Sequence, residues 1–166
     1  MAALTFIGRE DVSERELFVI DAMRASDAIS APRPPGRYFA CLLAWDATAA
    51  TDPDVVALAR HLLSTGCVYV CCWGPNCERV HDTFDTVEAE MRPNGTFAIS
   101  TWHNDEPLAD ALWYVLFNAF PDAPYFDECR STVAIAIGAP QWAEEARAAF
   151  LDPKAFSARL LGDGHA

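Results

Sequence analysis

Short apolar runs alternate with longer amphipathic patterns along most of the chain. The apolar runs, each ending in polar or turn-forming residues, lie at 38–45, 67–73, 97–102 and 132–137. The patterns with apolar positions three and four residues apart lie at 53–63, 77–91, 107–120 and 141–151. The short runs predict buried strands, and the longer patterns predict helices with an apolar face. Repeated strand–helix units predict a parallel sheet with helices on its faces.

We therefore expect an α/β protein with three layers, α/β/α, and a mainly parallel sheet of four or five strands, as in Rossmann-like and flavodoxin-like folds. Residues 14–29 fit a helix, but a short strand at 17–20 fits equally well. Three prolines follow, and they predict a linker because proline lacks a backbone donor. The expected parts are an N-terminal arm and Pro-rich linker at 1–36, one α/β domain at 37–161 and a flexible tail at 162–166.

Composition narrows the range of partners. The 166 residues carry a formal net charge of −12 and a pI near 4.5. Such a surface repels phosphate groups, so we expect neither a nucleic-acid partner nor a membrane partner. Charge complementarity favours a basic protein partner, although solubility alone would also account for the charge.

The cysteines predict a reducing environment. Four of the six fall within the predicted strands, where cysteine behaves as a small apolar residue. The first residues lack the pattern of a signal peptide, and no segment has the length of a membrane span, so we expect a cytoplasmic bacterial protein. Neither a dinucleotide-binding fingerprint nor the paired Cys-x2-Cys spacing of zinc sites occurs, so we expect no cofactor and no metal ion.

Polar residues that follow the predicted strands indicate a crevice. Ligands of an open parallel sheet bind beyond the carboxyl ends of the strands, where the strand order reverses. If the four predicted strands have the order 2-1-3-4, the loops after the first and third lie side by side. The ligand-binding candidates at these ends are Asp46, Thr48, Asn76, His103, Asn104 and Asp105.

His103 is the first catalytic candidate. Imidazole changes charge near neutral pH, and Asp46 or Asp105 could orient the ring. A structural explanation competes with this one, because Asp105, Glu106 and Pro107 are ordinary residues at the start of a helix. A histidine beside such a start often only pairs with nearby groups. Both interpretations remain open at the level of sequence.

A row along one predicted helix is the second catalytic candidate. Cys77 lies in the first helical turn, where the helix dipole can lower the pKa of a thiol. His81 and Asp85 follow at intervals of one turn, so a nucleophile, a base and an orienting carboxylate are evenly spaced. However, Cys77 is in phase with Val80 and Phe84, which predicts a buried and inert thiol.

The helix predicted over 107–120 is apolar on two sides. One stripe fits against the sheet, and Trp113, Phe117 and Phe120 form a second stripe. A second apolar stripe is either covered by another part of the chain or presented to a partner. The N-terminal arm could cover it. Otherwise we expect a homodimer or a bound protein partner at these three residues.

About the last three quarters of the chain is similar to a known family. The likeness rests on the segments W-H-x-D-E at 102–106, A-L-W-Y at 111–114 and F-P-D at 120–122. They resemble an uncharacterised bacterial family described only as a domain of unknown function. The resemblance implies a small α/β domain and brings no reaction with it.

Three functions are consistent with these patterns. The first is a non-catalytic accessory or immunity-like protein that binds a protein partner, and we rank it first because no catalytic set is complete. The second is a small-molecule-binding or hydrolytic domain that uses Asp46, His103 and Asp105. The third is a cysteine-dependent enzyme that uses Cys77 and His81.

Overall fold

A six-stranded sheet lies between two layers of helices in this computed structural model, which describes residues 2–93, 95 and 97–163. The strands are β1 (Leu4–Arg9), β2 (Glu16–Ala22), β3 (Tyr38–Trp45), β4 (Cys67–Trp73), β5 (Ile99–His103) and β6 (Cys129–Ile137). The helices are α1 (Ala25–Ser30), α2 (Asp52–Thr65), α3 (Cys77–Met91), α4 (Leu108–Phe117), α5 (Ala123–Phe126), α6 (Pro140–Leu151) and α7 (Pro153–Asp163).

The sheet is mostly parallel. Its strand order is β1-β2-β6-β3-β4-β5, and all neighbours are parallel except β1, which runs antiparallel to β2. The central strands β3, β4 and β6 are almost wholly buried, as expected for strands covered on both faces. The expected three-layer α/β/α architecture with a mainly parallel sheet is confirmed, and the sheet has six strands in place of the expected four or five.

Each face of the sheet has its own apolar core. Helices α1, α2 and α3 cover one face, where Leu58 and Phe84 are among the largest buried side chains. Helices α4 and α6 cover the other face with Leu112 and Phe150, and Phe156 of α7 packs against this second core. Burial of this apolar surface is the main source of stability.

The N-terminal segment differs from the expected arm. β1 and β2 belong to the sheet, and β2 pairs with β6 along its whole length. Residues 17–20, which fitted either a helix or a strand, form a strand. They are buried because helices cover both faces of the sheet there. Residues 31–37 alone connect α1 to β3 without regular structure. At the other end, α7 includes residues 162 and 163, and the rest of the expected tail lies outside the described residues.

The observed strand order places the topological switch point of the sheet at a different pair of strands from the expected pair. β3 lies between β6 and β4, so the order reverses between β3 and β6 and not between β3 and β5. The assumed order 2-1-3-4 is therefore wrong: the four strands predicted from sequence have the order 4-1-2-3. The loops after β3 and β5 share the carboxyl end of the sheet, but β4 separates them. Within the described part of the chain, no helix combines the length and apolar character needed to cross a membrane.

Candidate functional site

The expected crevice between Asp46 and His103 does not form. Trp73 of β4 pairs with Ala44 on one side and with His103 on the other, so it lies between the two loops. Asp46 is exposed and accepts a hydrogen bond from the Thr48 backbone N–H at 3.1 Å. Hydrogen bonds from Thr48 lower the pKa of the Asp46 carboxyl. Asp46 and Thr48 thus form a local turn.

The other expected ligand-binding residues are also spread along the carboxyl edge. Asn76 is exposed and precedes α3 with a φ of 66°. Asn104 and Asp105 are exposed in the turn before α4, and Asp105 has a φ of 58°. The structure therefore gathers His103, Asn104 and Asp105 in one turn and leaves Asp46, Thr48 and Asn76 apart from them.

His103 is the buried centre of a row of polar side chains, several of which are partly exposed. Its Nδ1 is 2.6 Å from Oε1 of Glu106, and its Nε2 is 3.0 Å from Oγ1 of Thr101. A carboxylate can only accept, so Nδ1 carries a proton and donates to Glu106. In the neutral ring, Nε2 then accepts from the Thr101 hydroxyl. The side chain of His103 is only 7% exposed.

Two tyrosines and a tryptophan extend this row. The ring of His103 packs edge-on against Tyr114 of α4 with 4.8 Å between ring centroids. The hydroxyls of Tyr114 and Tyr69 are 2.8 Å apart and share a hydrogen bond. Burial, together with that hydrogen bond, raises the pKa of Tyr69 far above its usual range. Trp73 Nε1 donates to the backbone carbonyl of Glu106 at 2.8 Å.

We name Thr101, His103, Glu106, Tyr69 and Tyr114 the carboxyl-edge network. Thr101 is not among the residues predicted from the sequence, although residues two apart on a strand share a face. Glu106 was predicted only as a residue of the helix start. The order carboxylate, imidazole, hydroxyl can activate an oxygen nucleophile, but here the His103 side chain is only 7% exposed, so the imidazole is largely shielded from a substrate.

The Cys77 row is not assembled as a catalytic set. Cys77 is 2% exposed, and burial raises the pKa of its thiol. His81 pairs with carboxylates, at 3.0 Å from Asp82 and 3.5 Å from Asp85, and its ring lies 4.5 Å from that of Trp102. The six cysteines of the chain are all buried and free. Across the described residues, no three His, Cys, Asp or Glu side chains are grouped to hold a metal ion.

The second apolar stripe of α4 is only partly covered. Trp113 Nε1 donates to Ser157 Oγ of α7 at 3.0 Å, and the Phe117 ring lies 5.5 Å from that of Trp113. The second stripe of α4 is therefore covered in part by α7, and not by the N-terminal segment alone as expected. Phe120 remains 50% exposed and lies 6.1 Å from the ring of Phe126, which is equally exposed.

These aromatic rings border a groove at the amino end of the parallel strands. A cavity of about 650 Å³ lies between the β1–β2 turn and the start of α7, and an adjoining pocket of about 260 Å³ continues under the end of α4. Gly8 makes the close packing of α6 on β1 feasible, since a Cβ there would lie 2.6 Å from the Phe150 carbonyl oxygen. We name the two cavities together the amino-edge groove, which is lined by Val12, Phe117, Phe120, Phe126 and Leu151.

The fold and these two regions define a class: a three-layer α/β/α domain with paired polar groups at one edge of its sheet and, at the other, a groove with exposed apolar side chains among charged ones. The family model described as Domain of unknown function (DUF7684) matches residues 20–153. The chain belongs to this family, which confirms the resemblance seen in the sequence. A search of curated proteins finds no match.

Proposed function

We propose that this protein is a non-catalytic accessory protein that binds another protein through the amino-edge groove. One observation carries the proposal. Val12 is 91% exposed and Leu151 is 71% exposed, and together with Phe120 and Phe126 they place four large exposed apolar side chains along one groove. Contiguous exposed apolar surface of this kind is typical of interaction sites.

The charges favour a basic partner. The charges that line the groove are balanced, with Arg9, Arg15 and Lys154 against Glu10, Asp11 and Asp152, so the preference comes from the rest of the surface. Arg9 pairs with Glu14 at 3.9 Å. The chain as a whole carries a net charge of −12, which speeds the approach of a basic protein. The expected occupant is an apolar segment flanked by lysine or arginine.

The place of action that we propose is the bacterial cytoplasm. The six free cysteines support it, because thiols persist in compartments kept reduced. The likeness of the 102–106 segment to a bacterial family gives the second support.

A site-specific crosslinking experiment tests the proposal. A photoreactive amino acid replaces Phe120 in host cells, and in a matched control it replaces Ala57, an exposed residue of α2 on the opposite layer. A protein captured at position 120 and not at 57 is then purified. We expect Phe126→Asp to weaken its affinity by about tenfold or more, whereas Phe97→Asp, at an exposed ring outside the groove, leaves it unchanged.

Two results would count against the groove as the binding surface. In the first, positions 120 and 57 capture the same proteins, which would indicate nonspecific contact. In the second, the purified partner binds Phe126→Asp as tightly as Phe97→Asp. Weaker binding at higher salt is expected from the charge argument, because salt screens exposed charges.

A second candidate function is hydrolysis at Thr101, favoured by the spacing of Glu106, His103 and Thr101. In such a reaction the Thr101 oxygen would attack an ester carbonyl while His103 Nε2 accepts its proton and passes it to the alcohol that leaves, and a water molecule would then release the acid from Thr101. We rank it below binding because His103 is buried. Turnover of p-nitrophenyl acetate that is lost in Thr101→Val and in His103→Gln would support it, and no turnover by the wild type would end it.

A further inference from the structure

Arg15 brings a cation to the wall of the amino-edge groove. The residue as a whole is only 4% exposed. Among the described residues, its guanidinium donates no hydrogen bond within 3.5 Å and has no carboxylate within 4.0 Å. The only buried side-chain nitrogen or oxygen without a hydrogen-bond partner in the described part of the chain is Glu88 Oε2, so the Arg15 nitrogens still reach the space of the pocket. A guanidinium in such a position is suited to pair with a carboxylate that enters the pocket.

Glu10 is an acidic residue that interacts electrostatically with Arg15, but the hydrogen bonds of its carboxylate go to other groups. Its oxygens accept hydrogen bonds from the backbone N–H groups of Val12 at 3.0 Å and Ser13 at 2.6 Å. Burial alone would raise the pKa of Glu10, but hydrogen bonds from Ser13 and Val12, together with the charge of Arg15, lower it. Glu10 therefore holds the β1–β2 turn and leaves the donors of Arg15 unused.

Arg15 lines the 260 Å³ pocket of the groove. The walls of this pocket are largely apolar and include Leu116, Phe117, Phe120 and Phe126. Cys129, which is 3% exposed, lies beside them. Glu10 and Ser13 line the pocket as well. A mostly apolar cavity with a small number of well-placed polar groups is the usual design of a small-molecule site.

We propose that this pocket binds a small carboxylate with an apolar body. The carboxylate oxygens accept hydrogen bonds from the Arg15 guanidinium, and the body packs against Phe120 and Phe126. Arginine presents a planar pair of donors that matches a carboxylate in a bidentate contact. The site is unrelated to the crevice expected from the sequence, which lies at the opposite edge of the sheet.

The charge of the surroundings selects a monoanion. Arg15 and Glu10 together leave the pocket neutral, so a monocarboxylate adds one negative charge to it, whereas a dianion would add two beside the Glu10 carboxylate and against the net charge of −12. A phosphate or sulfate dianion would also need more donors than Arg15 alone supplies. Aliphatic and aromatic monocarboxylic acids therefore fit better than phosphorylated compounds. The carboxylate can belong to a free acid or to the C-terminus of an apolar peptide.

Calorimetric titration of the purified full chain tests the inference. The probes are octanoate, phenylacetate and an apolar pentapeptide with a free C-terminus, with octanol, the pentapeptide amide and inorganic phosphate as controls. We expect at least one carboxylate to bind with one molecule per chain, and its uncharged counterpart to bind about tenfold or more weakly. Octanoate or phenylacetate binding identifies a free acid, and binding of the peptide alone identifies a chain end.

Three variants connect the binding to the pocket. Arg15→Met keeps the apolar stem and should weaken carboxylate binding by about tenfold or more. Phe126→Ala alters an exposed pocket residue, so it should fold normally and also weaken binding. Arg60→Met, at an exposed arginine of α2 paired with Glu90, is the matched control and should bind like the wild type.

The inference is overturned if no carboxylate binds the wild type, if Arg15→Met binds the carboxylate as tightly as the wild type, or if phosphate binds as well as octanoate. If Arg15→Met fails to fold, Phe126→Ala decides, and unchanged binding there overturns the inference. The experiment contains no protein partner, so its failure is distinct from failure of the proposed function.

Discussion

The carboxyl and amino edges of the sheet differ in whether their polar side chains are hydrogen-bonded within the protein. At the carboxyl edge, His103 has both ring nitrogens paired, with Glu106 and Thr101, and Tyr69 pairs with Tyr114. At the amino edge, Arg15 is buried to a similar degree but has no hydrogen-bond acceptor among the described residues. Polar groups that pair with one another stabilise a fold, whereas a cation that faces a pocket without a protein acceptor is available to bind an anion.

The apolar side chains at the two edges differ in how far they are packed against neighbours. Near the carboxyl-edge network, Trp73 and Trp142 form an edge-on pair with 5.0 Å between ring centroids, and Trp102, although 47% exposed, packs against the ring of His81. At the amino edge, Val12 and Leu151 extend into solvent. The usual rule places ligands of parallel sheets at the carboxyl ends of the strands. In this protein the open surface lies at the opposite end, so the rule about topology does not locate the candidate site.

The largest expected effect is at a glycine of the carboxyl edge. Gly74 has a φ of 115°, and a Cβ there would lie 2.4 Å from the Trp45 carbonyl oxygen. We expect Gly74→Ala to lower the free energy of unfolding by about 2–4 kcal/mol, as measured by urea denaturation. Gly162→Ala is the control, because a Cβ there meets no atom within 4 Å. Equal stability of the two variants would show that this edge is looser than described.

Removal of one member of the carboxyl-edge network should have the next largest effect. Glu106→Ala leaves the buried Nδ1 of His103 without an acceptor, and we expect a loss of about 1–3 kcal/mol in unfolding free energy. Glu90→Ala, which breaks an exposed pair with Arg60, should cost about 0–1 kcal/mol. Carboxylate binding at the amino edge should not change in Glu106→Ala. Weaker binding there would mean that the two edges are coupled.

The acid dependence of stability should report on Glu10. Its pKa in the folded protein is lowered from 4.5, so its contribution is present above pH 4.5 and disappears as the pH falls through the lowered value. We expect the wild type to be about 1 kcal/mol more stable than Glu10→Gln at pH 7. The difference should shrink in urea unfolding curves recorded below pH 4.5. A difference that grows toward low pH would contradict the assignment of Glu10 to the β1–β2 turn.

The smallest effect is expected at the exposed apolar side chains. Val12→Ser removes a methyl-bearing side chain that is 91% exposed, so its unfolding free energy should stay within about 0.5 kcal/mol of the wild type. Binding of the protein captured by crosslinking should nevertheless weaken. A variant that binds this partner normally would restrict the interface to Phe120 and Phe126.

The architecture was predictable because its signals are local. The apolar run at 67–73 and the periodic pattern at 77–91 coincide with β4 and α3. The strand order was not predictable, because β3 is apolar on both faces and could pair with any neighbour. The predicted site depended on the strand order. Because β4 lies between β3 and β5, it separates their loops, and the expected Asp46–His103 crevice does not form.

The candidate site was only partly predictable for a related reason. Phe120 belongs to a second apolar stripe that is readable in the sequence, and it lines the groove. Arg15 precedes a run that allowed either a helix or a strand, and nothing local shows that its side chain becomes buried. Its burial depends on the pairing of β2 with β6, which lies more than a hundred residues away along the chain.

A comparison of the urea unfolding of Arg15→Met and Arg92→Met tests most directly whether Arg15 is available for ligand binding and not needed for the stability of the fold. Arg92 is a satisfied arginine, which donates to the Leu63 carbonyl at 3.1 Å and pairs with Glu88 at 3.4 Å. We predict that Arg92→Met loses stability, whereas Arg15→Met stays within about 1 kcal/mol of the wild type, because it removes neither a hydrogen bond of the guanidinium nor an ion pair. A loss of about 3 kcal/mol or more in Arg15→Met would show that Arg15 is structural and would contradict the account.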